Sequence, residues 1–194
     1  MVGQKIDGIK VSNSVKEILK SAIEKLKSEG VVPCLATILV GDDPASATYV
    51  KNKHNACEKI GIKTKDYKLS TDTTQKELNK IINELNNDKK VHGILVQLPL
   101  PKQLDEFLTI SIISPIKDVD GLTPQNVGLL SIGKSILKPC TPSGIMEMFY
   151  YYKINLQGKN VVMINRSNLI GKPLYHLLLQ NNATVITCHS KTEN

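Results

Sequence analysis

Short runs of branched apolar residues alternate along this chain with helix-type segments, and that alternation limits the fold more than any other feature. CLATILVG (34–41), residues 62–69, VHGILVQL (91–98), GKNVVMIN (158–165) and ATVITC (183–188) read as strands. Strands separated by helices pair in parallel, because the chain must cross back over the sheet before each new strand. The intervening segments carry helix signals. SNSVKEILKSAIEKLKSE (12–29) repeats apolar residues at Val15, Ile18, Leu19, Ala22, Ile23 and Leu26, the stripe of an amphipathic helix, with Ser12 or Ser14 as its cap and Gly30 at its end. Asp43 followed by Pro44 has the chemistry of an N-cap and a first helical residue, and Gly61 closes that helix. Thr74 to Leu85, Ile145 to Lys153 and RSNLIGKPLYHLLLQNN (166–182) complete the set.

This pattern predicts an α/β protein: an N-terminal parallel-sheet α/β domain over residues 1–120, an interdomain segment over 121–144, and a partial Rossmann-type nucleotide-binding domain over 145–194. Turn residues crowd SPIKDVDGLTPQNVG (114–128) and KPCTPSG (138–144), which places the division there. The last part amounts to one strand–helix–strand unit. A complete doubly wound domain has more strands, so the reading favours a piece of a longer protein.

Composition excludes several classes. No apolar run approaches the roughly 20 residues of a membrane span. The start, MVGQKIDG, lacks the apolar run of a secretory signal. A cytoplasmic protein that engages no membrane is therefore expected. Cys34, Cys57, Cys140 and Cys188 are far apart and form no CxxC pair, so reduced, buried thiols are expected rather than a metal site. The net charge of +7 suits any polyanionic partner. It is carried almost wholly by scattered lysines, Arg166 being the only arginine, and nucleic-acid readers lean on arginine. No nucleic-acid partner is expected.

Tyr49 and Lys53 stand four apart on the helix after CLATILVG, so they share a face. Ligands of open α/β sheets bind beyond the carboxyl ends of the strands. A tyrosine there can stack on a flat ring. A lysine there can transfer a proton when burial or a positive neighbour disfavours its ammonium form. By spacing alone, a surface lysine and an ordinary packing tyrosine is the better reading.

Six segments change that weighing. PASATYVKNK (44–53), VQLPLP (96–101), KDVDG (117–121), KPCTP (138–142), RSNLIGKP (166–173) and CHSKT (188–192) resemble, in this order, the bifunctional methylenetetrahydrofolate dehydrogenase/methenyltetrahydrofolate cyclohydrolase family. The resemblance implies oxidation of 5,10-methylenetetrahydrofolate with NADP, then hydrolysis of the methenyl product to 10-formyltetrahydrofolate. It implies that Lys53 is central to the hydrolytic step as a base or as the group that orients water, with Gln97 holding it by a hydrogen bond. Leu98 and Pro99, beside Gln97, are implied to line the substrate site. Tyr49 is implied to pack on the folate's aromatic ring. Asp120 is implied to accept two parallel hydrogen bonds from the pterin edge, a pairing that suits a carboxylate; its plainer role is an Asp-Gly turn. Asp118 is expected to be structural.

For the cofactor, the resemblance points to the Asn165-Arg166-Ser167 turn. The family usually has glycine where Asn165 stands, and asparagine tolerates positive φ better than most residues. No acid follows the last strand before Glu193 to take a ribose hydroxyl, whereas Arg166, Ser167 and Ser190 suit a 2′-phosphate. NADP is expected over NAD. A homodimer is also implied. Two other readings stand beside this one: a cyclohydrolase with weak or lost dehydrogenase activity, motivated by Asn165, and a basic α/β binding module without catalysis.

Overall fold

The computed structural model describes residues 3–193; Met1, Val2 and Asn194, the outer ends of the expected domains, lie outside that range. The protein is mixed α/β with two parallel sheets. Its contacts form two compact units. One is Ser14–Val119. The other joins the residues up to Asn13 to those from Asp120 onward. Helix α1 (Gly8–Ser28) runs through the Asn13/Ser14 division.

In the first unit, strands β1 (Cys34–Val40), β2 (Lys63–Leu69) and β3 (Gly93–Val96) form a parallel sheet of order β2-β1-β3. The register pairs Ile38 with Tyr67 on one side and with Val96 on the other. β1 is buried from Ala36 to Val40 and β3 throughout, as befits strands covered on both faces. Helix α2 (Pro44–Ile60) links β1 to β2, and α3 (Gln75–Asn87) links β2 to β3. Leu78, Ile82 and Leu85 of α3 pack with Ala36, Ile38, Ile94 and Val96 in one core. β3 is shorter than the expected strand over 91–98, although His92 N–H and Gln97 N–H on either side of it still donate to Cys34 O and Ile38 O of β1. The chain returns alongside it: Ile94 N–H donates to Lys117 O at 2.7 Å, and Ile94 bridges Asp118. Asp118 is 2% exposed.

Local capping explains the helix ends. Asp43 accepts from Ser46 N–H at 2.7 Å, Pro44 opens α2, and Gly61 closes it in the left-handed conformation at φ 87°. Thr74 and Glu77 form a reciprocal capping box at α3. α1 departs from expectation. It begins at Gly8, ahead of Ser12 and Ser14, and its cap is Asp7, whose carboxylate accepts from Ile9 N–H at 3.0 Å and Lys10 N–H at 3.3 Å. Of its apolar stripe only Ile23 is buried, while Ile18, Leu19 and Leu26 are exposed.

The less regular middle of the sequence holds two short helices that periodicity does not announce, α4 (Glu106–Ser111) and α5 (Pro124–Ser131). α5 lies within the expected interdomain segment, yet its Leu130 is 1% exposed and belongs to the core of the second unit. That core also takes Met146 of α6 (Cys140–Tyr151), Met163 of β4 (Asn160–Ile164) and Leu174, Leu177 and Leu178 of α7 (Gly171–Gln180). β5 (Thr184–Cys188) pairs with β4 in parallel, from Asn160 opposite Thr184 to Ile164 opposite Cys188. Asp7 N–H donates to Tyr152 Oη at 2.9 Å, which ties the start of the chain to this unit. The cysteines are not the buried thiols expected: Cys34, Cys57 and Cys188 are half-buried and Cys140 is exposed.

Candidate active site

The first unit brings Lys53 and Gln97 together across 44 residues of chain. Lys53 Nζ donates to Gln97 Oε1 at 3.4 Å, and both residues are half-buried. Lys53 is carried by α2, whose start is fixed at the carboxyl end of β1 by the Asp43 cap. The Ser46 backbone N–H holds the Asp43 carboxyl below its usual range, with the Ser46 side chain adding to the effect. α2 is also tied sideways to β2. His54 Nδ1 lies 2.8 Å from Asp66 Oδ2 and 2.7 Å from Thr64 Oγ1. Gln97 follows β3 directly, and its backbone N–H donates to Ile38 O at 2.8 Å, one rung beyond the strand.

Gln97 is oriented locally. Its Nε2 donates to Leu98 O at 2.7 Å, so its Oε1 is the atom presented to Lys53. The Leu98–Pro99 peptide is cis. Leu100 N–H donates to Glu106 Oε1 at 3.0 Å. Leu98 is half-buried and Pro99 exposed. Tyr49, one turn before Lys53 on α2, is 62% exposed, so its ring is a platform open to a flat partner rather than a core residue. Sequence reasoning missed His54, Asp66 and Glu106. The partners of His54 are set by tertiary pairing, while Glu106 carried a faint signal as an acid opening a helix just after the VQLPLP run.

Asp120 belongs to the second unit and is half-buried there. Cys140 Sγ donates to its Oδ1 at 3.7 Å. Gly121 has φ +64°, and a Cβ on it would meet the Lys138–Pro139 backbone at 3.1 Å, so the KDVDG and KPCTP motifs pack backbone to backbone.

The β4–α7 turn meets the expected cofactor chemistry in part. Asn165 does not take positive φ; among the described non-glycine residues only Lys153 and Asn182 do. Its side chain instead accepts from Ser167 N–H at 2.8 Å, an Asx turn. Ser167 Oγ in turn accepts from Ile170 N–H at 3.1 Å at the start of α7. The glycine that is indispensable is Gly171: a Cβ there would sit 2.5 Å from Asn165 O and 2.7 Å from Arg166 Cα. Arg166, Lys172, Tyr175, His176 and Thr187 line a cavity of about 280 Å³ with Met163 and Gly171. Ser190 stands in the exposed turn after β5 and is not among the residues lining it. Two cations around a cavity at the start of a helix suit a phosphate-bearing cofactor.

The chain thus carries a parallel α/β sheet with a lysine–glutamine pair at its carboxyl side and a strand–helix–strand unit with a basic cavity, an arrangement of the α/β nucleotide-binding class. Comparison with known proteins identifies which kind. Residues 6–120 match the catalytic domain of tetrahydrofolate dehydrogenase/cyclohydrolase, and residues 139–194 match its NAD(P)-binding domain. The bifunctional protein FolD of Nitrosopumilus maritimus is 69% identical over 194 residues, which is 100% of this chain and 68% of that protein. The crystal structure of the bifunctional enzyme FolD from Campylobacter jejuni superposes with a TM-score of 0.96 at 49% identity, over 97% of this chain and 67% of that one. The FolD of Trypanosoma brucei, solved with NADP cofactor and inhibitor, superposes with a TM-score of 0.91 at 35% identity, over 96% of this chain and 64% of that one. The chain belongs to the tetrahydrofolate dehydrogenase/cyclohydrolase family and is an enzyme with an NAD(P)-binding domain. No helix among the described residues is long and apolar enough to cross a membrane.

Proposed function

We propose that this chain oxidises 5,10-methylenetetrahydrofolate to 5,10-methenyltetrahydrofolate with NADP and hydrolyses the product to 10-formyltetrahydrofolate. The observation that carries the hydrolytic half is the Lys53–Gln97 hydrogen bond on the carboxyl side of the first sheet. A water molecule must attack the cationic methenyl carbon, and the bridged ring must then open. Lys53 orients that water or takes its proton. Gln97, held by its own bond to Leu98 O, keeps the lysine from swinging into solvent. Leu98 and Pro99 line the substrate beside Gln97. Tyr49 stacks on the folate's aromatic ring, and Asp120 accepts from the pterin edge.

The residues after β4 fit the cofactor. Arg166 and Ser190 hold the 2′-phosphate that distinguishes NADP from NAD, and the Asn165–Ser167 turn lets the backbone approach the phosphates. When bound, the nicotinamide supplies the hydride acceptor. The working form is a homodimer, a reading supported by the exposed apolar residues Ile18, Leu19 and Leu26 of α1 and tested by light scattering on the purified chain; it works in the cytoplasm, which imaging of the tagged chain in cells tests.

Lys53→Met separates the two steps. The expected result is a fall in methenyltetrahydrofolate hydrolysis of about 10²–10⁴-fold, with the melting temperature and NADP binding kept. Undiminished hydrolysis would refute the role of Lys53. No absorbance change with saturating NADP and methylenetetrahydrofolate, while hydrolysis persists, would refute the oxidative half.

A further inference from the structure

Gln97 can offer either end of its amide to Lys53, and only the oxygen end accepts a hydrogen bond from an ammonium. What selects that end is the donation of Gln97 Nε2 to Leu98 O at 2.7 Å. The position of Leu98 O in turn depends on the backbone that follows it. Pro99 and Pro101 have no N–H, so Leu100 carries the only backbone donor of the 99–101 stretch. That donor is taken by Glu106 Oε1 at 3.0 Å. The Leu100 side chain is buried in the core of the first unit, which fixes where its N–H stands.

Glu106 is itself well anchored. It is the first residue of α4, next to Asp105, whose carboxylate accepts from Leu108 N–H at 2.9 Å. Asp105 N–H donates to Gln75 Oε1 at 2.8 Å, and Gln75 Nε2 donates to Thr109 Oγ1 at 3.0 Å. The start of α4 is therefore pinned to α3, and a charged acceptor stands on that support. We propose that Glu106 is a positioning residue for the hydrolytic step: through Leu100 N–H it sets the proline-flanked loop that turns the Gln97 carboxamide oxygen toward Lys53. This rests on reading Lys53 and Gln97 as the hydrolytic pair. Glu106 acts through Gln97 and takes no part in proton transfer.

Variants of the full chain, compared by kcat and KM for methenyltetrahydrofolate hydrolysis, test it. A displacement of about 1 Å at a catalytic group can cost on the order of a hundredfold, so Glu106→Ala is expected to lower kcat by about ten- to a hundredfold with a smaller change in KM. Glu106→Gln keeps an acceptor oxygen and is expected to restore most of the rate. In a Gln97→Ala background, Glu106→Ala is expected to have no further effect, because both changes act through the same amide. A merely structural role predicts additive losses in that background; that result overturns the proposal, as does a failure of Gln to restore the rate or a wild-type kcat for Glu106→Ala. If Lys53→Met and Gln97→Ala both leave hydrolysis intact, the pair itself is misread and the proposal falls with it. If those two abolish hydrolysis and Glu106→Ala does not, only the positioning role fails. Thermal melts of the Ala and Gln variants separate lost rate from lost fold.

Discussion

The two parallel sheets are built from similar residues and are buried very differently. In β1, CLATILV, every residue from Ala36 to Val40 is buried, and in β3, GILV, all four are. In β4, NVVMI, only Met163 is buried, and in β5, TVITC, none is. Val162, Ile164 and Ile186 stand on the open side at 62%, 83% and 52% exposure. Val161, Met163 and Val185, which alternate with them, belong to the core that α7 completes. The β1 pattern is that of a strand covered on both faces, and the β4 pattern that of one covered on one. An apolar strand thus shows where a sheet runs but not how many layers lie on it.

The same substitution in each sheet sharpens that contrast. The largest effect is expected for Ile38→Ala, at the centre of the buried sheet and 0% exposed. Loss of transfer energy plus a residual cavity costs about 2–5 kcal/mol, read from urea or thermal unfolding. A value near zero would mean that the first core is loosely packed. Next comes Gly171→Ala in the second unit. Its new Cβ would press on Asn165 O, so an overpacking cost of about 1–3 kcal/mol is expected, together with weaker NADP binding by titration. Unchanged binding would detach the 165–171 turn from the cofactor.

The helix starts differ as well. α2 is capped by the carboxylate of Asp43, whereas the hydroxyl of Ser167 serves the start of α7 and does not titrate. The Asp43 carboxyl is held below its usual 3.8, chiefly by the Ser46 N–H. A depressed folded-state pKa contributes stability that is present above the unfolded value and is lost as pH falls through the folded one. Asp43→Ala should therefore lower the melting temperature at neutral pH, and the gap from wild type should close below about pH 3.8. Ser167→Ala should show a gap that does not close. Equal pH profiles for the two would refute a carboxylate cap at α2. The smallest effect is expected for Ile164→Ala on the open face, within roughly 0.5 kcal/mol. A loss like that of Ile38→Ala would mean that something covers this face in solution.

Much of the first unit was legible in the residues. The strands after Gly30, after Gly61 and before the prolines are present, as are the Asp43 cap and the Gly61 stop, because those signals act over three or four residues. α4 and α5 were not legible, since six to eight residues show too little periodicity. α1 starts earlier than expected because the Asp7 carboxylate accepts from Ile9 and Lys10 N–H, and aspartate caps as well as serine. Asn165 was expected to serve by tolerating positive φ and instead serves by an Asx turn, a side-chain bond that the residue type permits but does not impose.

The sequence by itself determined the α/β order, the parallel pairing and the motifs that mark the family. These rest on hydrophobic periodicity, capping and turn chemistry, which are local. Only the tertiary structure decided that Lys53 meets Gln97 from 44 residues away, that Leu100 N–H finds Glu106, and that one sheet is covered on both faces while the other keeps an open side. Those outcomes depend on which segments close upon one another. A side chain four residues away is near in any helix, but one 44 residues away is near only in the folded protein.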